Sequence, residues 1–568
     1  MKKRDVFDQL TTEYSERMDR DVPWNFYPRP SMVRESFICL NGEWDFAVTD
    51  GDAPSEYVEK ILVPFPPESA LSGVKKEIST DSTMYYRRSF SIDSPMEGKR
   101  VLLHFGAVDT YCEVWLNDVC VMRNAGGYLP FSTDVTDALL AENTLVVTVR
   151  DPLDGVYPYG KQTRTPGGMW YTPVSGIWQT VWLELVPEVY VERIRVRSYM
   201  DRAEVTVVGG ASKKVLTLDD GERIEFEGES VTVRPERPRL WTLDDPYLYH
   251  FTLECGEDSL RSYFALREIS VERFKDIPRL CLNGEPLLIN GLLDQGYFPD
   301  GLFLPATPDG YRDDILRTKE FGFNMLRKHI KIEPEIFYSL CDELGVIVFQ
   351  DMVNNGDYSF LRDTALPTVG LKRIPDKRLH RDADTRRAFL TQMESTLAHL
   401  EFFPSVLYYT IFNEGWGQFC ADDAYELARS LDPTRIYDAT SGWFTQSKSD
   451  VDSRHVYFKE VKLGKLTDRP IVISEFGGYA HRVAGHLFGK SNYGYRIYSE
   501  REKFEQALIA LYRDEIMPLI PLGISALVYT QLTDVEDETN GLITYDRRVK
   551  KVDAAKLRAL MDELYEKI

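Results

Sequence analysis

The stretch FGFNMLRKHIKIEPEIFYSLCDELGVIVFQD, residues 321–351, decides the fold class of the longer, C-terminal part of this chain. It reads as an apolar strand, a helix with apolar residues at helical spacing, and a second apolar strand. The same alternation recurs after Cys281, and eight such strands predict a (β/α)8 TIM barrel over residues 274–568. The predicted strands are 287–291, 324–328, 346–350, 407–412, 435–439, 455–458, 471–474 and 524–530. The predicted helices are 310–321, 334–344, 385–401, 421–431 and 501–519.

The first 273 residues have a different pattern. Short segments rich in β-branched and aromatic residues, such as VLLHFGAV, CEVWLND and TLVVTVRD, alternate with Gly, Pro, Asp and Asn. This pattern predicts a β-sandwich over residues 1–187 and a second, smaller β-sandwich of immunoglobulin type over residues 188–273. A chain of 568 residues is long enough for three domains, each with its own core.

Charge and cysteine content narrow the class of partner. The formal net charge of -22 disfavours nucleic acid and anionic membranes, since both repel an acidic protein, and it favours a small neutral molecule. Seven scattered cysteines without a CxxC pair suit reduced thiols in the cytoplasm. The first residues lack the apolar core of a signal peptide, and no apolar run is long enough to span a bilayer, so we expect no targeting or anchoring segment.

Two glutamates stand where a barrel presents its reactive groups. Glu414 follows the fourth predicted strand in the run FNEGW, and Glu475 follows the seventh in ISEFG. Side chains just beyond the carboxyl ends of barrel strands share one pocket. A retaining glycosidase needs one protonated carboxyl and one ionised carboxylate, so we assign Glu414 as acid/base and Glu475 as nucleophile. For either glutamate alone, a surface or capping role among the 90 acidic residues is the alternative.

Neighbouring residues are candidates to support this pair. Asn413 is placed to donate to a sugar hydroxyl, or else to serve as a turn residue at the strand end. Arg327 ends the second strand and is expected to pair with the nucleophile, or else to form a structural ion pair in the barrel. Tyr457, beyond the sixth strand, is expected to donate its hydroxyl to the same carboxylate.

Further candidates for sugar binding lie at other strand ends. Aromatic residues there are expected to stack on sugar rings, with core packing as the alternative for each. An acidic loop after the eighth strand is able to hold hydroxyls or a hard cation such as Mg²⁺, Ca²⁺ or Na⁺, although most acidic loops are simply solvated. No HExxH run or tight His/Cys/Asp cluster is present, so we expect no catalytic metal and no cofactor. The candidates are Asp294, Gln295, Lys328, His329, Asp351, Trp416, Trp443, His455, Tyr529, Asp534 and Glu536.

Taken together, these motifs resemble glycoside hydrolase family 2, which includes β-galactosidases, β-glucuronidases and β-mannosidases. In the first domain the resemblance lies in LNGEWDF (40–46), VPFPPES (63–69), YYRRSF (85–90), HFGAVDTYCEVWLN (104–117) and SGIWQTVWLE (175–184). It covers nearly the whole chain and implies a jelly-roll sugar-binding domain, an immunoglobulin-like domain and a catalytic TIM barrel. By this resemblance Glu414 is the acid/base, Glu475 the nucleophile, and Arg327 and Tyr457 support the nucleophile.

The chain departs from the family pattern at positions that bear on substrate. Ile330 stands where the family has a sugar-contacting histidine, and Asp294 and Gln295 stand in place of a His-Glu pair. The aspartate that reaches in from the family's jelly roll is absent before SGI, which puts contact from that domain in doubt. The Asn-x-Lys carboxylate clamp of β-glucuronidases is replaced by the run Glu538-Thr539-Asn540, which disfavours uronates.

These observations predict a retaining exo-glycosidase that removes a terminal neutral sugar, with a β-galactoside-like substrate favoured. β-Mannoside, β-glucoside, arabinofuranoside and galactofuranoside substrates are alternatives within the same family. A catalytically inactive carbohydrate-binding homologue is an alternative from another class, because the same folds are reused for binding. As partners we expect a small carbohydrate or glycoside, no nucleic acid and no membrane, with a homodimer or homotetramer possible.

Overall fold

The computed structural model describes residues 10–93, 97–368, 374–464 and 466–568. Two β-sandwiches precede a C-terminal barrel of parallel strands, which confirms the predicted order of folds. The seven cysteines are free thiols. Among the described residues, no helix combines the length and the apolar character needed to cross a membrane.

The first sandwich consists of two large antiparallel sheets and one short ribbon. Side chains alternate between buried and partly exposed positions along its strands, as in Tyr111–Leu116, so one face of each sheet lies in the core. Trp44, Phe46, Tyr86 and Phe105 are fully or almost fully buried in that core. The strands are Ile38–Cys39, Gly42–Thr49, Glu59–Val63, Thr83–Phe90, Lys99–Phe105, Val108–Asp109, Tyr111–Leu116, Val119–Ala125, Phe131–Asp134, Asn143–Arg150, Gly176–Ile177 and Val181–Pro187.

The second sandwich packs a three-stranded sheet against a four-stranded one. Its strands are Val191–Ser198, Ala203–Gly209, Lys213–Leu218, Arg223–Glu227, Ser230–Val233, Tyr249–Cys255 and Asp258–Phe264. The assignment to immunoglobulin type stays a prediction. A small sheet of Ile269–Phe274, Ile277–Leu282 and Glu285–Pro286 follows, and its first hairpin spans the predicted domain limit at 273/274.

Eight parallel strands form the barrel, numbered β1 to β8 in chain order. They are β1 Ile289–Asp294, β2 Met325–Lys328, β3 Ile347–Asp351, β4 Val406–Asn413, β5 Ile436–Ser441, β6 Asp452–Val456, β7 Ile471–Gly477 and β8 Ile524–Thr530. Hydrogen bonds connect the strands in the order β5-β4-β3-β2-β1-β8-β7-β6, and β5 and β6 lie side by side and nearly close the ring. The carboxyl ends of all eight strands therefore surround one site.

The helices between the strands agree with the predicted positions except near the C-terminus. The α-helices are Asp309–Glu320, Glu335–Leu344, Leu366–Thr368, Ala383–Leu400, Ala421–Leu431, Arg501–Ala510 and Ala554–Tyr565. The predicted helix 501–519 changes after Ala510 into a π-helical turn, Leu511–Ile516, and a 3₁₀ segment, Met517–Leu522. Pro518 and Pro521 lack the N–H that an α-helix requires, which explains the change. Other short turns are Glu13–Glu16, Thr136–Ala138, Phe360–Ala365 and Asp376–Arg378.

Two strand ends differ from the predicted ones in a way that matters for the site. The predicted strand 455–458 is wrong by several residues, because β6 ends at Val456 and Phe458 has a left-handed φ of 60°. Tyr457 therefore lies in the loop directly after β6. Conversely, β7 extends to Gly477, so Glu475 belongs to the strand itself and has a fixed backbone position.

Candidate active site

Glu414 and Glu475 lie together at the carboxyl end of the barrel. Glu414 follows β4 with a left-handed φ of 53°, and its N–H donates to Ser441 O at the end of β5 over 2.9 Å. One carboxylate oxygen of Glu414 lies within 4.8 Å of one carboxylate oxygen of Glu475. The fold alone produces this proximity, since 61 positions separate the two residues in the sequence.

Arg327 on β2 binds and orients Glu475, the candidate nucleophile. Its Nη1 donates to Glu475 Oε1 over 3.1 Å and to Ser474 O over 2.8 Å. Its Nη2 donates to Asn413 Oδ1 over 2.9 Å, and its Nε to Asp351 Oδ1 over 3.0 Å. The planar guanidinium therefore orients Glu475 and Asn413 at the same time. The Nδ2 atom of Asn413 is buried without a hydrogen-bond partner among the described residues, which leaves it available to a ligand.

Two side chains after or within β6 contact the carboxylates from the other side. Tyr457 donates its hydroxyl to Glu475 Oε2 over 2.7 Å, which is the contact that the sequence predicts, and lies 2.8 Å from Thr530 Oγ1. His455 Nδ1 lies 2.8 Å from Glu414 Oε1 and 3.5 Å from Glu475 Oε2. Its Nε2 lies 2.8 Å from Ser441 Oγ, which holds the ring in place between the two glutamates.

The electrostatic environment separates the pKa values of the two glutamates. Burial, reinforced by the charge of Glu475, raises the pKa of Glu414, although His455 opposes the shift. Burial also raises the pKa of Glu475, but His455 and Arg327 outweigh it and lower this pKa to about 2. One carboxyl therefore keeps a proton at a pH where the other is ionised, which is the division of labour between a general acid and a nucleophile.

His329 and Asp351 form a second polar pair at the ends of β2 and β3. His329 Nδ1 lies 2.7 Å from Asp351 Oδ2. Burial and the charge of Lys161 lower the pKa of His329 to about 4, so the ring is neutral near pH 7. Because an ionised carboxylate only accepts hydrogen bonds, Nδ1 carries the proton and Nε2 is an acceptor on the pocket side.

A small pocket above the two glutamates contains five of the other predicted residues. Gln295, His329, Asn413, Trp416 and Tyr457 line it. Its remaining lining residues are Lys161, Met169, Leu293, Tyr495, Thr530, Glu538 and Asn540. The sequence predicts that the run Glu538-Thr539-Asn540 affects the choice of substrate, and it marks none of the other five as site residues.

Lys161 and Met169 come from the first β-sandwich, so that domain does contribute to the pocket. Trp170 from the same domain stacks on Trp416 at a centroid distance of 5.4 Å. The sequence leaves this contact in doubt, because the family's aspartate is absent before SGI. No spacing in the sequence marks Lys161, because a loop of another domain brings it to the barrel.

Asp294 and Lys328, two predicted sugar-binding residues, lie outside the pocket lining. Lys328 Nζ donates to Asp294 Oδ2 over 2.5 Å and to Glu333 Oε1 over 2.8 Å. Lys331 Nζ donates to both oxygens of Glu333 over 2.8 Å. In this buried network the four charged side chains pair with one another, and the ion pair between Asp294 and Lys328 connects β1 to β2. Asp351, also predicted to bind sugar, is likewise engaged by Arg327 and His329.

Four further predicted residues also lie outside the pocket lining. Trp443 donates its Nε1 to Glu414 O over 2.8 Å, and Tyr529 is fully buried under Gly477. Asp534 accepts from Lys551 Nζ over 2.5 Å, and Glu536 Oε1 accepts from the backbone N–H of Thr172 over 2.8 Å. Their contacts are structural, and a cation at the acidic loop stays a prediction.

Glu414, His455 and Glu475 form a cluster. Each has one potential ligand atom for a metal, and these three atoms lie within 4.8 Å of one another. The group has the donors for a divalent cation, although such an ion would compete with the proton that burial favours on Glu414.

Comparison with known families finds matches in the first sandwich and in the barrel. Residues 69–171 match the glycosyl hydrolase 2 galactose-binding domain-like family, and residues 279–548 match the TIM barrel domain of glycosyl hydrolases family 2. The chain belongs to glycoside hydrolase family 2.

Relatives within the family are similar at low identity. This family 2 chain is 29% identical over 297 residues to a β-galactosidase of Thermoanaerobacter pseudethanolicus, an alignment that covers 47% of the chain and 39% of that protein. The chain thus spans about two fifths of the length of curated relatives that it matches.

Solved structures of the family share the fold over almost the whole chain. A β-D-glucuronidase of Dictyoglomus thermophilum superimposes with a TM-score of 0.73 at 18% identity, covering 94% of this chain and 98% of that one. A family 2 β-galacturonidase of Eisenbergiella tayi, bound to glycerol, gives a TM-score of 0.68 at 20% identity, covering 96% and 98%. At such identities the similarity is evidence of a common fold.

Proposed function

We propose that the protein is a retaining exo-glycosidase, with Glu475 as nucleophile and Glu414 as acid/base. The observation that carries the proposal is the approach of the two carboxylates to within 4.8 Å, combined with opposite shifts of their pKa values. Retaining glycosidases place these groups about 5 to 5.5 Å apart, whereas inverting enzymes leave about 6.5 to 9.5 Å for a water molecule.

The reaction then takes two displacements. In the first, Glu475 attacks the anomeric carbon, the bond to the aglycone oxygen breaks, and Glu414 gives its proton to that oxygen. Arg327 and Tyr457 hold Glu475 in an attacking position through bonds to its two oxygens. In the second, Glu414 takes a proton from water, the water oxygen attacks the anomeric carbon, and the bond to Glu475 breaks. The sugar leaves with the configuration of the substrate.

For the sugar itself we propose a terminal neutral residue, with a β-galactoside favoured. The curated relatives with this name support the choice, and Asn413 offers a free Nδ2 donor beside the acid/base. β-Mannosides, β-glucosides, arabinofuranosides and galactofuranosides are the alternatives within the family. Residues of the first sandwich close one side of the pocket, which supports cleavage at a chain end.

The seven free thiols support a reducing compartment, and we propose the cytoplasm. A homodimer or homotetramer stays a prediction, which light scattering of the purified protein would test.

Release of nitrophenol from α- and β-linked pyranosides and furanosides tests the catalytic proposal. We expect turnover of one β-glycoside and a loss of about 10³-fold or more in Glu475→Gln. Glu414→Gln should lose most activity on poor leaving groups, because the first displacement then lacks its acid. On substrates with a good leaving group, added azide should restore turnover, because azide attacks the glycosyl–enzyme intermediate without a general base. Glu142→Gln at an exposed site is the matched control.

Three results would contradict the proposal. Wild-type rates in Glu475→Gln would remove the nucleophile assignment. A first product with inverted configuration, seen by NMR, would remove the retaining mechanism. Saturable sugar binding without turnover of any glycoside would favour the inactive carbohydrate-binding alternative.

A further inference from the structure

Lys161 reaches the pocket because its loop is fixed against the barrel. The N–H of Tyr159 donates to Asn354 O over 3.0 Å, and the Tyr159 hydroxyl donates to Gly356 O over 2.8 Å. Both acceptors lie in the loop after β3. Gly160 has a left-handed φ of 67°, and a Cβ there would lie 2.9 Å from Ile330 O. The backbone immediately before Lys161 is therefore held by contacts between domains.

The ammonium group of Lys161 lacks the partners that a buried lysine normally has. The residue is only 7% exposed, yet it forms no ion pair within 4.0 Å and donates no side-chain hydrogen bond among the described residues. Its Nζ lies 5.6 Å from the centre of the Tyr171 ring and 5.8 Å from that of Trp416. Lys328 and Lys331, which are at most 1% exposed, each bind a carboxylate. Lys161 lines the pocket, and its three donors have no acceptor among the described residues.

Glu538 supplies acceptors in the same pocket. It is buried, and its Oε2 accepts from Gln531 Nε2 over 2.7 Å and from Asn540 Nδ2 over 3.4 Å. A carboxylate has about four lone-pair sites, so these two bonds leave acceptor capacity toward the pocket. Burial raises the pKa of Glu538 and the charge of Lys161 opposes this shift, although the two side chains form no ion pair within 4.0 Å. The pocket therefore presents a donor and an acceptor that each lack a full set of partners.

A neutral hydroxyl matches this pair, because it accepts a bond from an ammonium and donates one to a carboxylate. A uronate carboxylate would satisfy Lys161 but has no proton to give to Glu538 and would repel it. We propose that Lys161 is a substrate-binding residue that, together with Glu538, holds one sugar hydroxyl and selects neutral sugars against uronates. The inference rests on the proposed glycosidase function and assigns a determinant of its substrate class to the first β-sandwich.

A series of monodeoxy substrates tests this assignment directly. The substrates are the nitrophenyl glycoside that the wild type hydrolyses and its derivatives lacking one hydroxyl each. In the wild type, loss of the bound hydroxyl should lower kcat/KM by about 10- to 100-fold. In Lys161→Met this penalty should fall to about threefold or less for that one hydroxyl, while the penalties for the other hydroxyls persist. Lys161→Arg should keep part of the penalty, since it keeps the positive charge.

Two further readouts separate binding from a merely structural role. Lys161 lowers the pKa of Glu414, so Lys161→Met should move the alkaline limb of the kcat/KM profile to higher pH. Lys213→Met, a change at an exposed lysine of the second sandwich, should alter neither the deoxy penalties nor the profile. Thermal unfolding of each variant checks that the fold is intact.

The possible outcomes are distinct. Unchanged deoxy penalties in Lys161→Met would overturn the inference. So would a wild-type preference for nitrophenyl β-glucuronide or β-galacturonide that Lys161→Met abolishes, because Lys161 would then bind a carboxylate. Wild-type failure on every glycoside would instead count against the glycosidase function. In that case, calorimetry with galactose on the wild type and Lys161→Met decides the inference: weaker binding by about tenfold supports it, and equal affinity overturns it.

Discussion

His455 Nδ1 lies 2.8 Å from Glu414 Oε1, and the same atom lies 3.5 Å from Glu475 Oε2. One imidazole therefore bridges the proposed acid/base and the proposed nucleophile. It lowers the pKa values of both carboxyl groups, so it opposes the effect of burial at Glu414 and supports ionisation at Glu475.

Replacement of this histidine should move the whole pH profile. In His455→Phe we expect the acidic limb, set by Glu475, and the alkaline limb, set by Glu414, both to move to higher pH. Tyr457→Phe removes a hydrogen bond to Glu475 but none to Glu414, so only the acidic limb should move. The measurement is kcat/KM against pH for the wild type and both variants. A His455→Phe profile that coincides with the wild type would show that the bridge has no electrostatic role.

Arg327 should matter for stability as well as for the nucleophile. Arg327→Met leaves Asp351 and Glu475 buried without their cation, which typically costs about 3 to 5 kcal/mol. The pKa of Glu475 should rise, so the acidic limb of the activity profile should move to higher pH. Arg327→Lys keeps the positive charge but loses the planar guanidinium with its several donors. It should therefore change the free energy of unfolding and the acidic limb less than Arg327→Met does. Urea unfolding and pH profiles measure the two effects, and an unchanged unfolding midpoint in Arg327→Met would refute the expected penalty.

The sequence predicts the barrel and its reactive pair because both depend on local patterns. Apolar strands that alternate with amphipathic helices define βα units. A glutamate at the carboxyl end of such a strand lies at the pocket that the strand ends surround. The predicted contacts of Arg327 and Tyr457 with Glu475 follow from the same reasoning, and the structure contains both. The catalytic roles themselves stay predictions until the variants are measured.

Residues whose environment depends on distant segments are not predictable in this way. Lys328 lies at a strand end like Arg327, but its ammonium group donates to Asp294 and Glu333 in a buried network and not to a ligand. Lys161 is more than 100 positions away from the barrel in sequence, and only the docking of its loop brings it to Glu538. Such residues are determined by packing between domains, which leaves no periodic signal in the sequence.

Glu68 in the first sandwich should make stability depend on pH. It is buried, accepts bonds from Ser175 Oγ and N, and burial raises its pKa from 4.5 to about 8. The folded state therefore keeps a proton that the unfolded state releases above about pH 4.5, so this contribution to stability is complete below that pH. It is lost as the pH rises toward 8.

Glu68→Gln stays neutral at every pH and should remove this dependence. Relative to the wild type, its free energy of unfolding should increase by about 2 to 4 kcal/mol between pH 5 and pH 9, since one pKa unit corresponds to about 1.4 kcal/mol. Urea unfolding at the two pH values measures the change, with exposed Glu142→Gln as the control. Parallel curves for the wild type and Glu68→Gln would show that Glu68 does not titrate between these values.

The approach of the Lys161 loop to the barrel can be tested through two glycines with similar backbones. Gly160 has a φ of 67° and Gly228 a φ of 86°, so alanine is strained by about 1 to 2 kcal/mol at both. At Gly160 the new methyl group would also lie 2.9 Å from Ile330 O and 3.0 Å from the Tyr128 hydroxyl, whereas at Gly228 nothing lies within 4 Å. Gly160→Ala should therefore push Lys161 away from the pocket and lower kcat/KM by about tenfold through a higher KM. Gly228→Ala should lose only the stability that the strained backbone costs, without loss of activity. Equal kinetics in the two variants would mean that the position of this loop does not control access of the substrate to the carboxylates.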